Sequence, residues 1–374
     1  MLWLWHEAAS FEGEDMSLLE VRDLKVSFDT SDGLVKAVRG VSFSVERGQT
    51  LGIVGESGSG KSVSTQTLLG LTAGALIEGQ ALFEGQDLLA MNDEQLRRIR
   101  GKEIAMIFQD PLSSLHPLYK VGKQIVEMIR QHESDVSKNQ ARKRAVELLG
   151  MVGIPEPHQR VDDYPHQFSG GMRQRAMIAM ALALNPKLIV ADEPTTALDA
   201  TVQAQILDLI LRLQNEFDTA LIMITHDLGV IADLADDVLV MYGGKPVEHA
   251  DRRTLYYRPH HPYTKGLLES IPGSTGAKDR LKPIPGQPPS LINVPSGCAF
   301  HPRCEYVMDR CPTYEPPLGA VLDKSGMSEL GHTSACWLPH EAAGLSPEAG
   351  QRRQEAVTQG RAAPKTVVDA GEAE

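Results

Sequence analysis

The sequence predicts an α/β fold: a mostly parallel sheet with flanking helices, an antiparallel β-subdomain, an inserted helical subdomain and a small cysteine-containing C-terminal extension. Three observations carry this prediction. Apolar runs at residues 188–191 and 221–224 flank a helical pattern, the order of a parallel sheet. Residues 18–28 and 35–46 instead alternate apolar and polar side chains, as antiparallel strands do. Residues 112–168 show only helical spacing, which indicates the inserted subdomain.

The individual elements follow from periodicity and from glycine and proline stops. The run at 51–54 is apolar throughout, as expected of a strand that is buried on both faces. A charged helix is predicted within 85–100, ending at Gly101. The other predicted elements are helices at 63–71, 121–131, 139–149 and 201–215 and strands at 104–108 and 238–241.

Length and composition indicate one large domain with an appendage, because the chain has 374 residues and an ordinary apolar fraction of 42%. Met16 begins a segment that leads directly into the first strand, so the true start is either Met1 or Met16. The predicted divisions are an N-terminal extension at 1–15, a large α/β domain at 16–255 with its helical subdomain at about 110–180, a C-terminal extension at 256–340 and a disordered tail at 341–374.

The charge balance narrows the class of protein. A net charge of −12 argues against a protein built to coat nucleic acid. No apolar run approaches the roughly 18 residues of a membrane span. The opening segment 1–5 is too short for a signal peptide and lacks a basic region. A cytosolic chain is therefore expected.

Residues 55–62 fit the pattern of a phosphate-binding loop, which predicts a P-loop NTPase core that binds ATP and Mg²⁺. Glycine backbone can press its amides against phosphate oxygens, the Lys61 ammonium can reach the β- and γ-phosphates, and the Ser62 hydroxyl can bind Mg²⁺. The alternative is a Gly/Ser-rich turn, but a strand precedes the loop and a helix follows it. The predicted nucleotide-binding residues are Gly55, Glu56, Ser57, Gly58, Ser59, Gly60, Lys61 and Ser62.

Polar side chains at the ends of three predicted strands supply candidate catalytic groups. Asp192 ends one apolar run, where a carboxylate can hold Mg²⁺ together with Ser62. The adjacent Glu193 is predicted to orient and polarise the attacking water. His226 and Gln109 each follow another strand and are predicted to contact the γ-phosphate, Mg²⁺ or water. The alternatives are a helix-capping acidic pair and a structural histidine.

Residues 168–175 form a second candidate phosphate site. Ser169 is a good helix N-cap, and the two glycines that follow leave backbone amides bare at the start of a helix. Because the first loop already holds one nucleotide, the second site suggests a nucleotide that is bound to another subunit.

With these motifs in this order, residues 16 to about 250 resemble the nucleotide-binding subunit of an ATP-binding cassette (ABC) transporter. The resemblance implies an ATPase in which Phe28 stacks on adenine and Asp199 lies in a loop at the dimer interface. It also implies a signature that closes over ATP held by the partner. That signature consists of Ser169, Gly170, Gly171, Met172 and Gln174. Met172 and Phe168 replace the commonest residues, but neither change removes the hydroxyl or the glycine amides.

The C-terminal part resembles the extension of oligopeptide/dipeptide importer ATPases, through His261-Pro262-Tyr263-Thr264 and the proline-rich run 283–289. The resemblance implies a peripheral position on the cytoplasmic face of the inner membrane. The implied partners are a second ATPase subunit (a homologous chain or another copy), two transmembrane permeases and an extracytoplasmic solute-binding protein, without nucleic acid.

Other substrates and other classes remain as alternatives. The cargo can be a dipeptide, a longer peptide, glutathione, a nickel chelate or another solute. A soluble cassette ATPase acting on DNA or ribosomes is a rival, although the chain has neither paired cassettes nor a coiled-coil insertion. A non-hydrolysing regulatory subunit is a second rival, but it would be expected to lack Glu193 or His226.

Four cysteines cluster in the extension, at Cys298, Cys304, Cys311 and Cys336. In the cytosol, clustered thiols are more often metal ligands than disulfides. Their spacings are longer than those of common zinc sites, and four thiolates also suit an iron–sulfur cluster. The resemblance favours a [4Fe–4S] cluster, with zinc or free thiols as alternatives.

Overall fold

A computed structural model describes residues 17–196, 198–271, 283–322 and 327–338. The predicted N-terminal extension at 1–15, the choice between Met1 and Met16, and the predicted tail at 341–374 lie outside these ranges.

The described residues form two sheets and the helices around them. The strands are β1 (Leu19–Thr30), β2 (Gly33–Val45), β3 (Thr50–Val54), β4 (Leu76–Phe83), β5 (Gln86–Asp87), β6 (Ile104–Ile107), β7 (Leu188–Asp192), β8 (Ala220–Thr225), β9 (Asp237–Tyr242), β10 (Lys245–Asp251), β11 (Gly319–Leu322) and β12 (Ser328–Ser334). The helices are α1 (Lys61–Leu68), α2 (Asp93–Ile99), α3 (Pro111–Ser114), α4 (Val121–His132), α5 (Lys138–Met151), α6 (Pro157–Arg160), α7 (Gly170–Ala181), α8 (Ala200–Phe217), α9 (Leu228–Leu234), α10 (Arg252–Tyr257) and α11 (Pro262–Glu269).

The larger sheet has eight strands in the order β11-β12-β10-β9-β3-β8-β7-β6. Five adjacent strands are parallel to one another: β9, β3, β8, β7 and β6. Strands β10 and β12 run antiparallel to their neighbours. All residues of β3, β7 and β8 are buried, which explains their unbroken apolar runs. The predicted α/β fold is confirmed. Its parallel strands bring β3, β6, β7 and β8 to a common carboxyl edge, where ligands bind in such sheets.

The smaller sheet is antiparallel, with the order β2-β1-β4-β5. Its first two strands confirm the predicted pair. The prediction of a helix within 85–100 was only partly right, because helix α2 is restricted to Asp93–Ile99. Asn92 starts it by forming a capping box with Gln95, whereas Asp87 caps a preceding 3₁₀ turn.

Helices α4 and α5 form the predicted inserted subdomain together with the start of α7. Ser137 caps α5 by accepting a hydrogen bond from the Gln140 backbone N–H. The buried faces of these helices join one hydrophobic cluster, to which Ile125, Leu149 and Phe168 belong. Within the described ranges, no helix has both the length and the apolar character needed to cross a membrane.

The C-terminal extension is built onto the larger sheet through the buried carboxylate of Glu248 in β10. This carboxylate accepts hydrogen bonds from the His260 and His261 backbone N–H groups and from the His332 imidazole in β12. Burial alone would raise the pKa of Glu248, but the hydrogen bond and charge of His332 lower it. The start and the end of the extension are thereby fixed to the cassette.

Candidate active site

The phosphate-binding loop links β3 to α1, as the motif requires. Gly55 and Gly60 have φ values of 153° and 97°. A Cβ atom at Gly60 would lie 2.3 Å from the Ala37 carbonyl oxygen, so only glycine fits this turn. Gly60 caps α1 without a side chain, which leaves the first amides of the helix available to an anion.

Lys61 is folded back onto the loop, with its side chain buried. Its Nζ donates to the carbonyl oxygens of Gly55 at 2.7 Å and Glu56 at 2.9 Å. Burial lowers the pKa of this ammonium, whereas the nearby carboxylates of Glu193 and Asp192 raise it. A bound phosphate would offer the ammonium a stronger, charged partner in place of the two carbonyls.

Ser62 and Asp192 are brought together where Mg²⁺ was predicted. The Ser62 Oγ donates to the Asp192 Oδ1 at 2.6 Å, and the Gln66 Nε2 lies 3.3 Å from Oδ2. Burial raises the pKa of Asp192, because a carboxylate that is removed from water is costly to ionise. Hydroxyl and carboxylate oxygens are the ligands that Mg²⁺ prefers, so this pair fits the ion.

The predicted catalytic residues Glu193, Gln109 and His226 converge on one point. The Glu193 Oε2 accepts from the Gln109 Nε2 at 3.1 Å and from the Thr196 Oγ1 at 2.9 Å. The His226 Nδ1 lies 3.3 Å from the Glu193 Oε1. Glu193 has a φ of 45°, an unfavourable value for a residue with a side chain. Such strain is concentrated at functional sites, where the surrounding contacts hold it.

The signature begins helix α7 and is distant in sequence from this cluster. The Ser169 Oγ accepts from the Met172 backbone N–H at 3.3 Å, which confirms Ser169 as the N-cap. Gly170 and Gly171 begin the helix, and a Cβ atom at Gly170 would meet nothing within 4 Å. Gln174 is only 1% exposed, so its side chain faces the interior. Among the contacts of the described residues, no hydrogen bond or ion pair joins the signature to residues 55–62.

Asp199 caps a helix and Phe28 packs in a hydrophobic cluster. The Asp199 carboxylate caps α8 by accepting from the Thr201 and Val202 backbone N–H groups. Ala197, two residues before Asp199, is outside the described residues. Phe28 lies half-buried in β1 and packs against the hydrophobic cluster of the smaller sheet.

All four cysteines line one small cavity in the extension, and all are free thiols. Three sulfurs accept backbone N–H groups: Cys304 from Tyr306 at 3.4 Å, Cys311 from Met308 at 3.5 Å and Cys336 from Leu338 at 3.5 Å. Burial raises the pKa of Cys298 to about 11 and that of Cys336 to about 12. In the described part of the chain, no set of three or more His, Cys, Asp or Glu side chains has the arrangement of a metal site.

The groups gathered at the carboxyl edge of the larger sheet suit one reaction, the transfer of a terminal phosphoryl group to water, and so define a phosphate-loop NTPase. The comparisons with known proteins agree. A family model described as "ABC transporter" matches residues 38–196, and one described as "Oligopeptide/dipeptide transporter, C-terminal region" matches residues 247–311. The chain belongs to the ABC transporter family, as an ATPase that uses ATP and Mg²⁺.

Curated relatives match nearly the whole chain. The oligopeptide transport ATP-binding protein OppD of Bacillus subtilis is 53% identical over 86% of this chain and 89% of its own length. The dipeptide transport ATP-binding protein DppD of Lactococcus lactis is 52% identical over 80% of this chain and 86% of its own. Among solved structures, the ADP- and phosphate-bound dimer of the ATP-binding cassette MJ0796 has a TM-score of 0.57 and 27% identity, covering 63% of this chain and 98% of that one.

Sequence reasoning missed two residues that contact the phosphate-binding loop from the extension. The Tyr263 hydroxyl accepts from the Glu56 backbone N–H at 2.8 Å, and Arg303 forms a paired ion contact with the Glu56 carboxylate. Tyr263 lies in the stretch 261–264 and Arg303 lies between two of the predicted cysteine ligands, but nothing in either stretch indicated a partner in the loop.

Proposed function

We propose that the chain is the ATP-hydrolysing subunit of a bacterial ABC importer for di- or oligopeptides. The observation that carries this proposal is the joining of a complete cassette ATP site to an oligopeptide/dipeptide-type C-terminal region in one chain. The relatives named for peptide transport share this arrangement over most of their length. The chain would act at the cytoplasmic face of the membrane, bound to permeases that provide the spans.

In this proposal, residues 55–62 surround the nucleotide phosphates. Lys61 moves from the loop carbonyls to the β- and γ-phosphates, and the loop amides donate to the same oxygens. Ser62 and Asp192 would hold Mg²⁺, which when bound neutralises developing charge on the phosphates. Phe28 is proposed to stack on the adenine ring.

Glu193 is proposed to orient the attacking water and to accept its proton. Gln109 and Thr196 already donate to one of its oxygens, which fixes the carboxylate, while His226 lies beside the other. We therefore propose that His226 and Gln109 contact the water or the γ-phosphate during its transfer. A positioned base of this kind contributes about a hundredfold to ten-thousandfold to the rate.

The signature of a second ATPase subunit is proposed to complete the site. Its Ser169 hydroxyl and the amides of Gly170, Gly171 and Met172 suit an anion at a helix N-terminus. Gln174, being buried, would support the helix from inside, and Asp199 would position the loop at the interface. ATP would close the dimer and hydrolysis would reopen it, so an isolated subunit should bind ATP but hydrolyse it slowly.

Co-purification tests the proposed assembly. Affinity purification of the tagged full chain from its native membranes in mild detergent is expected to retain two polytopic proteins and an ATPase partner, either a homologous chain or a second copy. An extracytoplasmic peptide-binding protein should join when peptide is added. Bound DNA or ribosomal RNA, with no polytopic protein, would instead support a soluble cassette ATPase.

The four-cysteine cavity is proposed to hold a [4Fe–4S] cluster. All four thiols line one cavity, and the backbone N–H groups directed at three of the sulfurs would stabilise thiolate ligands. Cys298, Cys304, Cys311 and Cys336 would be the ligands. A bound cluster would cross-link the loop at 298–311 to the end of β12.

Metal analysis of the anaerobically purified chain tests this proposal. About four iron and four sulfide per chain are expected, with a brown colour that is lost in Cys311→Ser. Ser296→Ala is the control, because its hydroxyl donates to the Pro312 carbonyl in the same loop and does not line the cavity. A colourless protein with one zinc per chain would assign zinc instead, and a metal-free protein would leave free thiols.

A further inference from the structure

A partly buried ion pair connects the C-terminal extension to the phosphate-binding loop. The Arg303 Nη1 and Nη2 donate to the two Glu56 carboxylate oxygens at 2.6 and 2.9 Å. The Arg303 side chain is 5% exposed and that of Glu56 is 25% exposed. A paired, charge-assisted contact with one desolvated partner is more specific in geometry than a typical surface ion pair.

The surroundings fix Arg303 in place. Its Nε donates to the Pro285 carbonyl at 2.8 Å, and its Nη1 lies 3.3 Å from the Tyr242 hydroxyl. The ring of Phe300, three residues earlier, packs edge-on against Tyr242 at 5.2 Å between centroids. The guanidinium is therefore held by partners on the cassette and on the extension, rather than by Glu56 alone.

The negative charge of Glu56 explains why the phosphate-binding loop needs Arg303 as a partner. Glu56 is the second residue of the loop, and its carboxylate is close enough to Lys61 to act on that ammonium electrostatically. A carboxylate beside a site for triphosphate repels the ligand unless a cation neutralises it. Arg303 supplies that cation, and the Tyr263 hydroxyl holds the Glu56 backbone at the same point.

We propose that Arg303 is a positioning residue of the ATP site, because it neutralises Glu56 and holds the Glu56 carboxylate away from the phosphates. The part of the extension that carries the four cysteines thereby becomes part of the nucleotide-binding machinery. Arg303 lies directly before Cys304, so the segment that carries two of the cysteines also carries the counter-charge of the loop. This inference rests on the proposed use of residues 55–62 to bind ATP. Nucleotide binding by the wild-type chain tests that use separately.

The test is the dissociation constant of a fluorescent ATP analogue for the full chain and three variants. Arg303→Gln leaves the Glu56 carboxylate uncompensated and is expected to weaken binding about tenfold. Glu56→Gln removes only the carboxylate charge and keeps the backbone amide in the loop, so it is expected to bind the analogue more tightly than Arg303→Gln does. The double variant, which has neither charge, is expected to return to within about threefold of the wild type.

Glu315→Gln is the matched control. Glu315 also joins the extension to the cassette by ion pairs, with Arg39 at 3.1 Å and Lys245 at 2.7 Å, but neither residue belongs to the loop. It should bind the analogue like the wild type. Equal affinity of Arg303→Gln and the wild type would overturn the proposal. A double variant that binds as weakly as Arg303→Gln would also overturn it, because an ion pair that only attaches the extension is not restored by removing the Glu56 charge as well.

Arg303→Lys keeps the test decisive if Arg303→Gln does not fold. Lysine retains the counter-charge but not the paired hydrogen bonds. Binding within about threefold of the wild type supports charge neutralisation, and a tenfold loss contradicts it. If wild-type protein fails to bind the analogue at all, the assignment of the ATP site fails instead.

A reciprocal measurement tests the link to the cysteines. Coupling between two sites acts equally in both directions. The ATP analogue is therefore expected to change the rate at which the four-cysteine cavity is attacked, by an iron chelator if the cluster is bound or by a thiol reagent if the thiols are free. This change is expected in the wild-type chain and in Glu315→Gln, and no change is expected in Arg303→Gln at saturating analogue. A rate that responds to nucleotide equally in all three proteins would contradict transmission through Arg303.

Discussion

Replacing Glu193 with glutamine is expected to lower the ATP turnover rate by at least about a hundredfold, because glutamine keeps the shape of the side chain but cannot accept a proton from water. ATP should bind at least as tightly as it does to the wild type, since Glu193 makes no hydrogen bond to the loop that binds phosphate and the substitution removes a negative charge near Lys61. The measurements are phosphate release at saturating ATP and equilibrium binding of ATP with Mg²⁺.

Glu216→Gln is the control for this substitution. Glu216 is an exposed glutamate near the end of α8, on a helix that also begins at the site. Its turnover should equal that of the wild type. Hydrolysis by Glu193→Gln at a near-normal rate would remove Glu193 from the proposed role, and loss of ATP binding would show that it acts on the nucleotide instead.

The second large effect is expected at Lys61. Lys61→Ala should weaken ATP binding about a hundredfold, equivalent to about 2.7 kcal/mol, because it removes the charged hydrogen bonds to the β- and γ-phosphates. The substitution also frees the carbonyl oxygens of Gly55 and Glu56, which Lys61 occupies in the structure. Titration calorimetry with ATP and Mg²⁺ measures the change.

Lys36→Ala serves as the matched control, because Lys36 is an exposed lysine on β2 outside the loop. It should bind ATP normally. AMP lacks the β- and γ-phosphates, so the wild type and Lys61→Ala should bind it equally weakly. A Lys61→Ala protein with wild-type affinity for ATP would contradict the assignment of the loop.

The centre of the site could be predicted from sequence because its chemistry is encoded locally. A buried apolar strand followed by the glycine pattern fixes β3, the loop and α1 together. Asp192 and Glu193 could be placed near Ser62 because the carboxyl ends of parallel strands meet at one edge. The positive φ of Glu193 could not be predicted, since Gln109 and His226, whose side chains contact it, are distant in the sequence.

The alternation of apolar and polar residues was less informative for a strand that forms because of its partner in the sheet. Most of β4 is exposed and only Ala81 and Phe83 are buried, so its sequence has no clear alternation. It becomes a strand because it pairs with β1. The predicted helix before Gly101 was too long, because the caps at Asp87 and Asn92 divide the segment into a 3₁₀ turn and the short helix α2.

The contact of Arg303 with Glu56 lies beyond any local pattern. The two residues are separated by 247 positions, and their pairing requires the extension to fold back along the larger sheet. The sequence draws attention to both stretches for other reasons, the loop for its glycines and residues 298–304 for their cysteines. Only the folded chain brings the two charges together.

Peptide uptake into proteoliposomes tests the central claim most directly. The assembly purified through this chain would be reconstituted with ATP and Mg²⁺ inside the vesicles and with the peptide-binding protein and a labelled peptide outside. We predict accumulation of peptide that requires enclosed ATP and is lost when the assembly carries Glu193→Gln in this chain. Accumulation that is independent of ATP, or unaffected by the substitution, would contradict the proposal that ATP hydrolysis by this subunit drives peptide import.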